Sequence, residues 1–256
     1  MSSSFTDAWQ WQKTAHGRYL TSALLRDWQH GFFSSDFIGK TPQDIAQNFS
    51  NVKAIYRLKQ IHSNIVLPSS AVKEEGYTEG DGIITTGKGQ SAWCASADCT
   101  PVLIADRVSG QVTAIHSGWR GTASEIVGRA LNLLRDYGCQ KQNLLFALGP
   151  AISGEVYQVT MEVALTLLKT IFQGSEEEIL RQGYQSKNQV ILVDPQPERV
   201  RLNVTQVIYQ QILQQGIKPE QITVAPFCTY QNPDLFFSYR RTHEKNVQWS
   251  GIVANG

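Results

Sequence analysis

The sequence predicts an α+β fold in which mixed β-sheets carry helices on their outer faces. Three observations lead there. Short apolar runs and helix-spaced stretches are interspersed along the chain, without the regular strand–helix alternation of a doubly wound parallel sheet. The middle holds a strand–turn–strand unit, residues 102–105 and 112–115 about a turn at Ser109 and Gly110. Across 256 residues there is no internal repeat, low-complexity linker or composition break, so residues 1–256 read as one domain with a substantial core.

The elements follow in order. Residues 9–25 are aromatic and mixed and read as early strands; His30 to Phe33 then lead into a loop over 34–42. A short helix is expected over 42–49, with Thr41 as its cap. Residues 54–62 approach a strand-like alternation closed by His62, and a second apolar run covers 65–67. The charged, Gly-containing stretch 73–82 reads as a surface loop, followed by strands over 82–85 and 91–95 around a turn at 87–89. After the central unit, Thr122-Ala123-Ser124-Glu125 has the capping-box pattern that starts a helix. Helical spacing runs over 123–137, through Ile126, Ala130, Leu131, Leu133 and Leu134, and stops at Gly138. A strand over 144–148 precedes a helix over 159–172, with a polar helical extension at 176–180. A strand at 190–193, a third helix over 198–215, a strand at 222–225 and an aromatic strand running from Phe236 towards Arg240 and Arg241 complete the order.

Composition narrows the function. Hydrophobic residues make up 41% and charged residues 18%, as in an ordinary globular protein. A net charge of +1 with no basic block argues against nucleic-acid binding. No apolar run reaches the length of a bilayer span, and the N-terminus lacks the pattern of a signal peptide. The four cysteines are scattered without a disulfide framework, so reduced thiols in a cytoplasmic compartment are expected.

Chemistry gathers at the central unit. Cys99 precedes its first strand and His116 follows its second, so a hairpin would bring the two side by side. With His62, also at a predicted strand end, they make two imidazoles and a thiolate, which suit zinc with a fourth position open. The same ligands can hold copper. Separations of 37 and 17 residues match no structural zinc module, and a lone strand-end His or buried Cys has ordinary structural roles. Arg120, in the Gly-flanked turn after His116, and a helix N-terminus at Thr122 are candidate anion holders. Asp98, beside Cys99, is a candidate acid/base group or, equally, a turn cap. Trp119 reads as core.

The ordered motifs KQIHSN, DGIIT, ADCTPVLIAD, AIHSGWRGT, LGPAI, CTY and FFSYRR resemble the YfiH-like family from about Lys59 to Arg241. That family was historically labelled multicopper polyphenol oxidase or laccase. Its members are regarded as purine nucleoside phosphorylases that also deaminate adenosine. The resemblance implies a four-layer sandwich with two central sheets and outer helices. It places His62, Cys99 and His116 at the zinc-ligand positions and favours Arg241 over Arg240 as the substrate-binding and catalytic arginine. It implies phosphate and purine nucleosides (adenosine, inosine, methylthioadenosine) as substrates. The chain departs from the family pattern at 31–39, where Asn-Leu-Gly and Gly-Asp are missing. It departs again at 242–246, where an Asp and a Thr-Gly-Arg are replaced, so no substrate contacts are carried over from either region.

Phosphorolysis needs an anion site and stabilisation of charge on the leaving base, for which Arg120 and Arg241 are the candidates. Deamination needs a metal-activated water, as at a Cys/His zinc with an open position. Cys99, Asp98 and Arg241 are the candidate catalytic residues. A multicopper oxidase requires a blue-copper site and a histidine-rich cluster, and the chain has five His: His16, His30, His62, His116 and His243. Two other classes stand beside these: a metal-free hydrolase with Cys99 as nucleophile, His116 as base and Asp98 or Asn64 as orienter, and a non-enzymatic binding module.

Overall fold

The computed structural model describes residues 8–73 and 77–255; the first seven residues of the N-terminus and part of the expected 73–82 loop lie outside the described residues. The chain opens with β1 (Trp9–Thr14) and β2 (Gly17–Ser22), then β3 (His30–Phe33), where the sequence predicts only a lead into a loop. Thr41 and Asp44 form a reciprocal capping box on α1 (Pro42–Ile45), as the sequence signalled. There follow β4 (Ala54–Arg57), β5 (Val66–Pro68), β6 (Gly82–Ile84), β7 (Gln90–Ser96), β8 (Thr100–Asp106) and β9 (Val112–Ser117). Next come α2 (Trp119–Ala123), α3 (Ile126–Asp136), β10 (Leu144–Leu148), β11 (Gln158–Thr160), α4 (Met161–Leu168) and α5 (Glu176–Gln185). The chain ends with β12 (Ile191–Val193), β13 (Arg199–Leu202), α6 (Val204–Gln214), β14 (Ile222–Val224), α7 (Tyr239–Thr242) and β15 (Gln248–Val253). No helix among the described residues is long and apolar enough to cross a membrane.

Two six-stranded mixed sheets result, ordered β1-β2-β3-β15-β7-β4 and β14-β10-β8-β9-β6-β5, with a small sheet β11-β13-β12. Alternation along the strands decides the layering. Leu103, Ala105, Val112 and Ala114 of the second sheet pack on Leu20, Phe32, Ala92 and Ile252 of the first. Val102, Ile104, Ile115 and Phe146 point the other way, onto Ile126 and Ala130 of α3, Leu167 of α4 and Ile208 of α6. The outer face of the first sheet is covered more thinly, Phe33 and Trp93 meeting Ile45 of α1. The mixed α+β class and the two stacked sheets agree with expectation. Because the second sheet is covered on both faces, β8 reads as a continuous buried run.

Several local expectations fail for identifiable reasons. β6 and β7, expected to flank one turn, belong to different sheets; β6 pairs with β9 and β7 with β15. Residues 198–215 are not one helix. Arg199-Val200-Arg201-Leu202 alternates half-buried and buried residues as β13, and the Asn203 side chain then caps α6. Likewise α5 is no extension of α4, since Ser175 and Glu178 give it a capping box of its own. The pattern at 122–125 does not start a helix. Thr122 lies inside α2, its hydroxyl donating to the Gly118 carbonyl at 3.0 Å, while Glu125 is left-handed at φ 55° and α3 begins after it. The aromatic stretch before Arg240 is no strand: Ser238 caps the short helix α7. β15, at the centre of the first sheet, went unread.

Candidate metal centre

The hairpin register builds the site. Thr100 pairs with Ser117 and Pro101 with His116, so the start of β8 and the end of β9 share one rim of the second sheet. Cys99 sits just beyond the start of β8. The ligand atoms of His62, Cys99 and His116 all lie within 4.8 Å of one another, the group the sequence singled out. His62 is not at a strand end, because β4 stops at Arg57; it occupies a left-handed turn with φ 60°. The edge of its ring meets His116 at 4.8 Å between centroids. Gly118 makes the approach possible, since a Cβ there would stand 2.8 Å from Cys99 Sγ and 3.3 Å from His62 Cδ2.

What holds that turn is Asp81, near the end of the charged stretch that the sequence predicts as a surface loop. Its Oδ1 accepts from the His62 backbone N–H at 3.0 Å and faces His116 Nδ1 at 2.9 Å. Oδ2 accepts from the N–H groups of Ile61 and Ser63 at 3.2 and 2.6 Å and from the Ser63 hydroxyl at 2.8 Å. With Nδ1 donating to the carboxylate, His116 presents an unprotonated Nε2 to a metal, the arrangement that orients metal-ligating imidazoles. The available signal was the Asp of DGIIT, a carboxylate placed immediately before a strand that flanks β9.

Charge follows geometry. Burial pushes the Asp81 carboxyl up, but His116 and the Ser63 donors outweigh it and bring it to about 2. Burial likewise opposes the Cys99 thiolate, yet His116 and His62 draw it down to about 6. His116, against the same desolvation, is raised to about 9 by Cys99 and Asp81. Without a metal the site is therefore a thiolate–imidazolium pair. Cys99 is ionised near neutrality, as a metal ligand or nucleophile requires.

The other candidates are placed differently. The Asp98 carboxylate accepts from the Thr229 hydroxyl and the Arg240 backbone N–H, both at 2.7 Å, and its carbonyl accepts from Ile152 N–H. Asp98 ties three segments together, the capping role that stood beside the catalytic one. Arg241 gives its guanidinium to the carbonyls of Thr229 and Tyr230 at 2.7 and 2.8 Å and of Phe236 at 2.7 Å. These bonds staple the C-terminal loop. Strand alternation does not separate Arg240 from Arg241, because both lie on α7. Arg240 packs its guanidinium 4.6 Å over the Tyr157 ring and donates from Nη1 to the Gln158 carbonyl at 2.8 Å. Arg120 is exposed and lies 4.3 Å over Trp119, itself half-buried. Asn64 donates to the Ser124 carbonyl, so Asp81 and not Asn64 orients His116.

Tyr157 lies outside the motifs that the sequence singles out. It lines a cavity of about 30 Å³ with Asp98, Cys99, Gly118, Trp119 and Val204. Burial, then the Cys99 charge, pushes its phenol up to about 12 against the opposing pull of Arg240. The remaining histidines stand apart. His30 is buried between Ser22 N–H and the Trp28 carbonyl, His16 is exposed near the β1–β2 turn, and His243 packs against Tyr239. No second histidine cluster forms among the described residues.

A family model described as multi-copper polyphenol oxidoreductase laccase matches residues 35–255. The chain belongs to this laccase-labelled, YfiH-like family. A protein named purine nucleoside phosphorylase from Synechocystis sp. is 41% identical over 97% of this chain and 98% of that one. Another of that name, from Bacteroides thetaiotaomicron, is 30% identical over 73% of this chain and 64% of its own length. The crystal structure of the Bacillus licheniformis protein YfiH superposes with a TM-score of 0.79 at 21% identity, covering 96% and 99% of the two chains. At that identity the likeness concerns the fold. The family label and the relatives' names thus point to different chemistries. Among the described residues one three-ligand group, His62, Cys99 and His116, could hold a metal ion.

Proposed function

We propose that this chain is a cytoplasmic, zinc-dependent purine nucleoside phosphorylase that also deaminates adenosine. The observation that carries the reading is the full-length relative of that name at 41% identity. The His62–Cys99–His116 donor set, two imidazoles and a thiolate around one opening, fits zinc in preference to magnesium or calcium. Bound there, zinc would supply a Lewis acid and an acidified water.

In phosphorolysis, a phosphate oxygen forms a bond to the ribose anomeric carbon as the bond to the purine nitrogen breaks. The base leaves with a proton and the sugar as ribose 1-phosphate. Arg240 and Arg120 are the arginines proposed to hold phosphate, since the Arg241 fork is occupied by three carbonyls. Asp98 positions Arg240 by accepting its backbone N–H. Tyr157, protonated through the physiological range, is the proposed donor to the departing base, its phenol lying against Cys99 in the same cavity. Asp81 accepts the His116 Nδ1 proton, and His116 and His62 favour Cys99 as a thiolate.

Inosine or adenosine with phosphate should yield free base and ribose 1-phosphate without oxygen or added copper, and adenosine should also release ammonia. Release of free ribose independent of phosphate would instead favour the Cys99–His116–Asp81 line as a hydrolase. Phenol oxidation rising with bound copper would restore the oxidase reading.

A further inference from the structure

The thinly covered outer face of the first sheet holds a hollow of about 300 Å³. Its floor follows from the β1–β2 register, in which Gln10 pairs with Thr21 and Gln12 with Tyr19. Side chains alternate along a strand, so these four share one face, while Trp9, Trp11 and Leu20 turn to the core between the sheets. Arg26 and Trp28, from the connection between β2 and β3, and Phe49, beyond α1, complete the walls. None of these residues lines the cavity at Cys99, so the two hollows are separate.

Some polar groups of the lining are already engaged. His30 accepts from Ser22 N–H and faces the Trp28 carbonyl, and burial keeps it uncharged near neutrality. The Gln29 amide binds both the N–H and the carbonyl of Ser50. Two groups are not engaged. Trp28 is 6% exposed, and its buried Nε1–H has no hydrogen-bond partner. The Arg26 guanidinium has none either among the described residues. An indole N–H can only donate, a guanidinium donates and carries positive charge, and a buried donor left unpaired is costly. Among the described residues the lining holds no carboxylate to accept from them, and Asp27 lines the adjoining hollow instead. An anionic acceptor is therefore what this corner lacks. The rings of Tyr19 and Phe49, edge to face at 6.5 Å between centroids, supply an aromatic wall for the rest of a ligand. Burial raises the Tyr19 phenol, which stays protonated and adds an O–H donor.

We propose that this hollow is a second ligand site, for a small aromatic carboxylate that accepts from Trp28 Nε1–H and Arg26 while its ring lies against Tyr19 and Phe49. The assignment is independent of the phosphorylase reading, and its test reads binding alone. Benzoate is the probe, with benzamide as a neutral counterpart of nearly the same shape. By calorimetry on the full chain, benzoate should bind about tenfold more tightly than benzamide, as charge-assisted hydrogen bonds require. In the NMR spectrum of the labelled protein, one indole N–H resonance should move as benzoate is added, and Trp28→Phe should delete that resonance. Arg26→Gln, at an exposed position, should weaken benzoate about tenfold and leave benzamide unchanged. Bound metal should be the same in this variant as in the parent. Failure of the parent to bind benzoate, equal affinity for benzamide, or full benzoate affinity in Arg26→Gln overturns the site. So does binding that leaves every indole resonance in place. Should Trp28→Phe not fold, the benzamide comparison and Arg26→Gln still decide.

Discussion

His30 and His116 are equally buried, each 4% exposed, and their imidazoles are driven in opposite directions. His30, in the first sheet, accepts from Ser22 N–H and contacts the Trp28 carbonyl, with no charge beside it. Burial lowers it to about 4 despite that carbonyl. His116, in the second sheet, has a carboxylate on one nitrogen and a thiolate on the other side, and rises to about 9. Burial alone therefore makes a structural histidine. What makes a site is the pair of anionic neighbours that β6 and β8 bring to the same rim.

Removing the anion that separates the two should have the largest effect. Asp81→Ala leaves the Ile61, His62 and Ser63 N–H groups and His116 Nδ1 without their acceptor. A destabilisation on the order of 3–5 kcal/mol is expected, as for other broken buried charge networks. Metal affinity should fall about 10–100-fold, as when the carboxylate behind a ligating imidazole is lost. Denaturant midpoints and chelator competition measure the two. A variant that binds metal as the parent does would dissolve the distinction between these histidines.

The His30 side of the comparison is tested by pH. Its folded pKa, about 4, lies below the ordinary value of about 6.5. Between those values the unfolded chain binds the extra proton, so stability is full above about pH 6.5 and declines as pH falls towards 4. At the low end the loss is on the order of 3 kcal/mol. His30→Gln, which does not titrate, should show a flatter melting temperature between pH 4 and 6.5. An unchanged slope would place the titration elsewhere.

The two adjacent arginines carry the same contrast to the C-terminal segment. Arg241→Lys replaces a fork that satisfies three carbonyls with a point charge, and about 2 kcal/mol of stability should go with it. Arg240→Lys should cost less stability but raise the KM for phosphate, because its guanidinium retains free N–H groups beside Tyr157. Thermal melts and phosphate-dependent rates separate them. A KM effect confined to Arg241 would return the anion site to the arginine that family resemblance favoured.

These cases also show what the sequence could carry. The Cys99–His116 juxtaposition was legible because a hairpin register is local: two apolar runs and a turn fix which ends meet. The helix cap at Thr41 was legible for the same reason. Asp81 was not, since its partners are the backbone of residues nearly twenty positions earlier and an imidazole 35 positions later. Arg241 was assigned by motif, while its actual partners are carbonyls that only the folded loop gathers. The helix read over 198–215 failed because Val200 also falls in helical register with Val204 and Val207, while its alternation with Leu202 belongs to a strand and Asn203 caps the real start.

The smallest predicted effect on stability comes from Gly118, where a single methyl tests how tightly the metal rim is packed. Its φ of −77° suits alanine, so no backbone strain is introduced, and its place before α2 puts it outside any regular element. The methyl would nonetheless stand 2.8 Å from Cys99 Sγ and 3.3 Å from His62 Cδ2. One of those ligands must move. Overpacking of this kind costs about 1–3 kcal/mol, and half-exposed surroundings should keep it near 1. The metal should suffer more than the fold, because a tetrahedral zinc site tolerates ligand shifts of only about 0.2 Å. Gly118→Ala should thus melt within a few degrees of the parent while losing metal affinity, and Gly138→Ala, with open space around its Cβ but φ of 86°, should do the reverse. If Gly118→Ala keeps its metal affinity, the three side chains are not fixed by the turn, and the geometry that distinguishes His116 from His30 is looser than the carboxylate network implies.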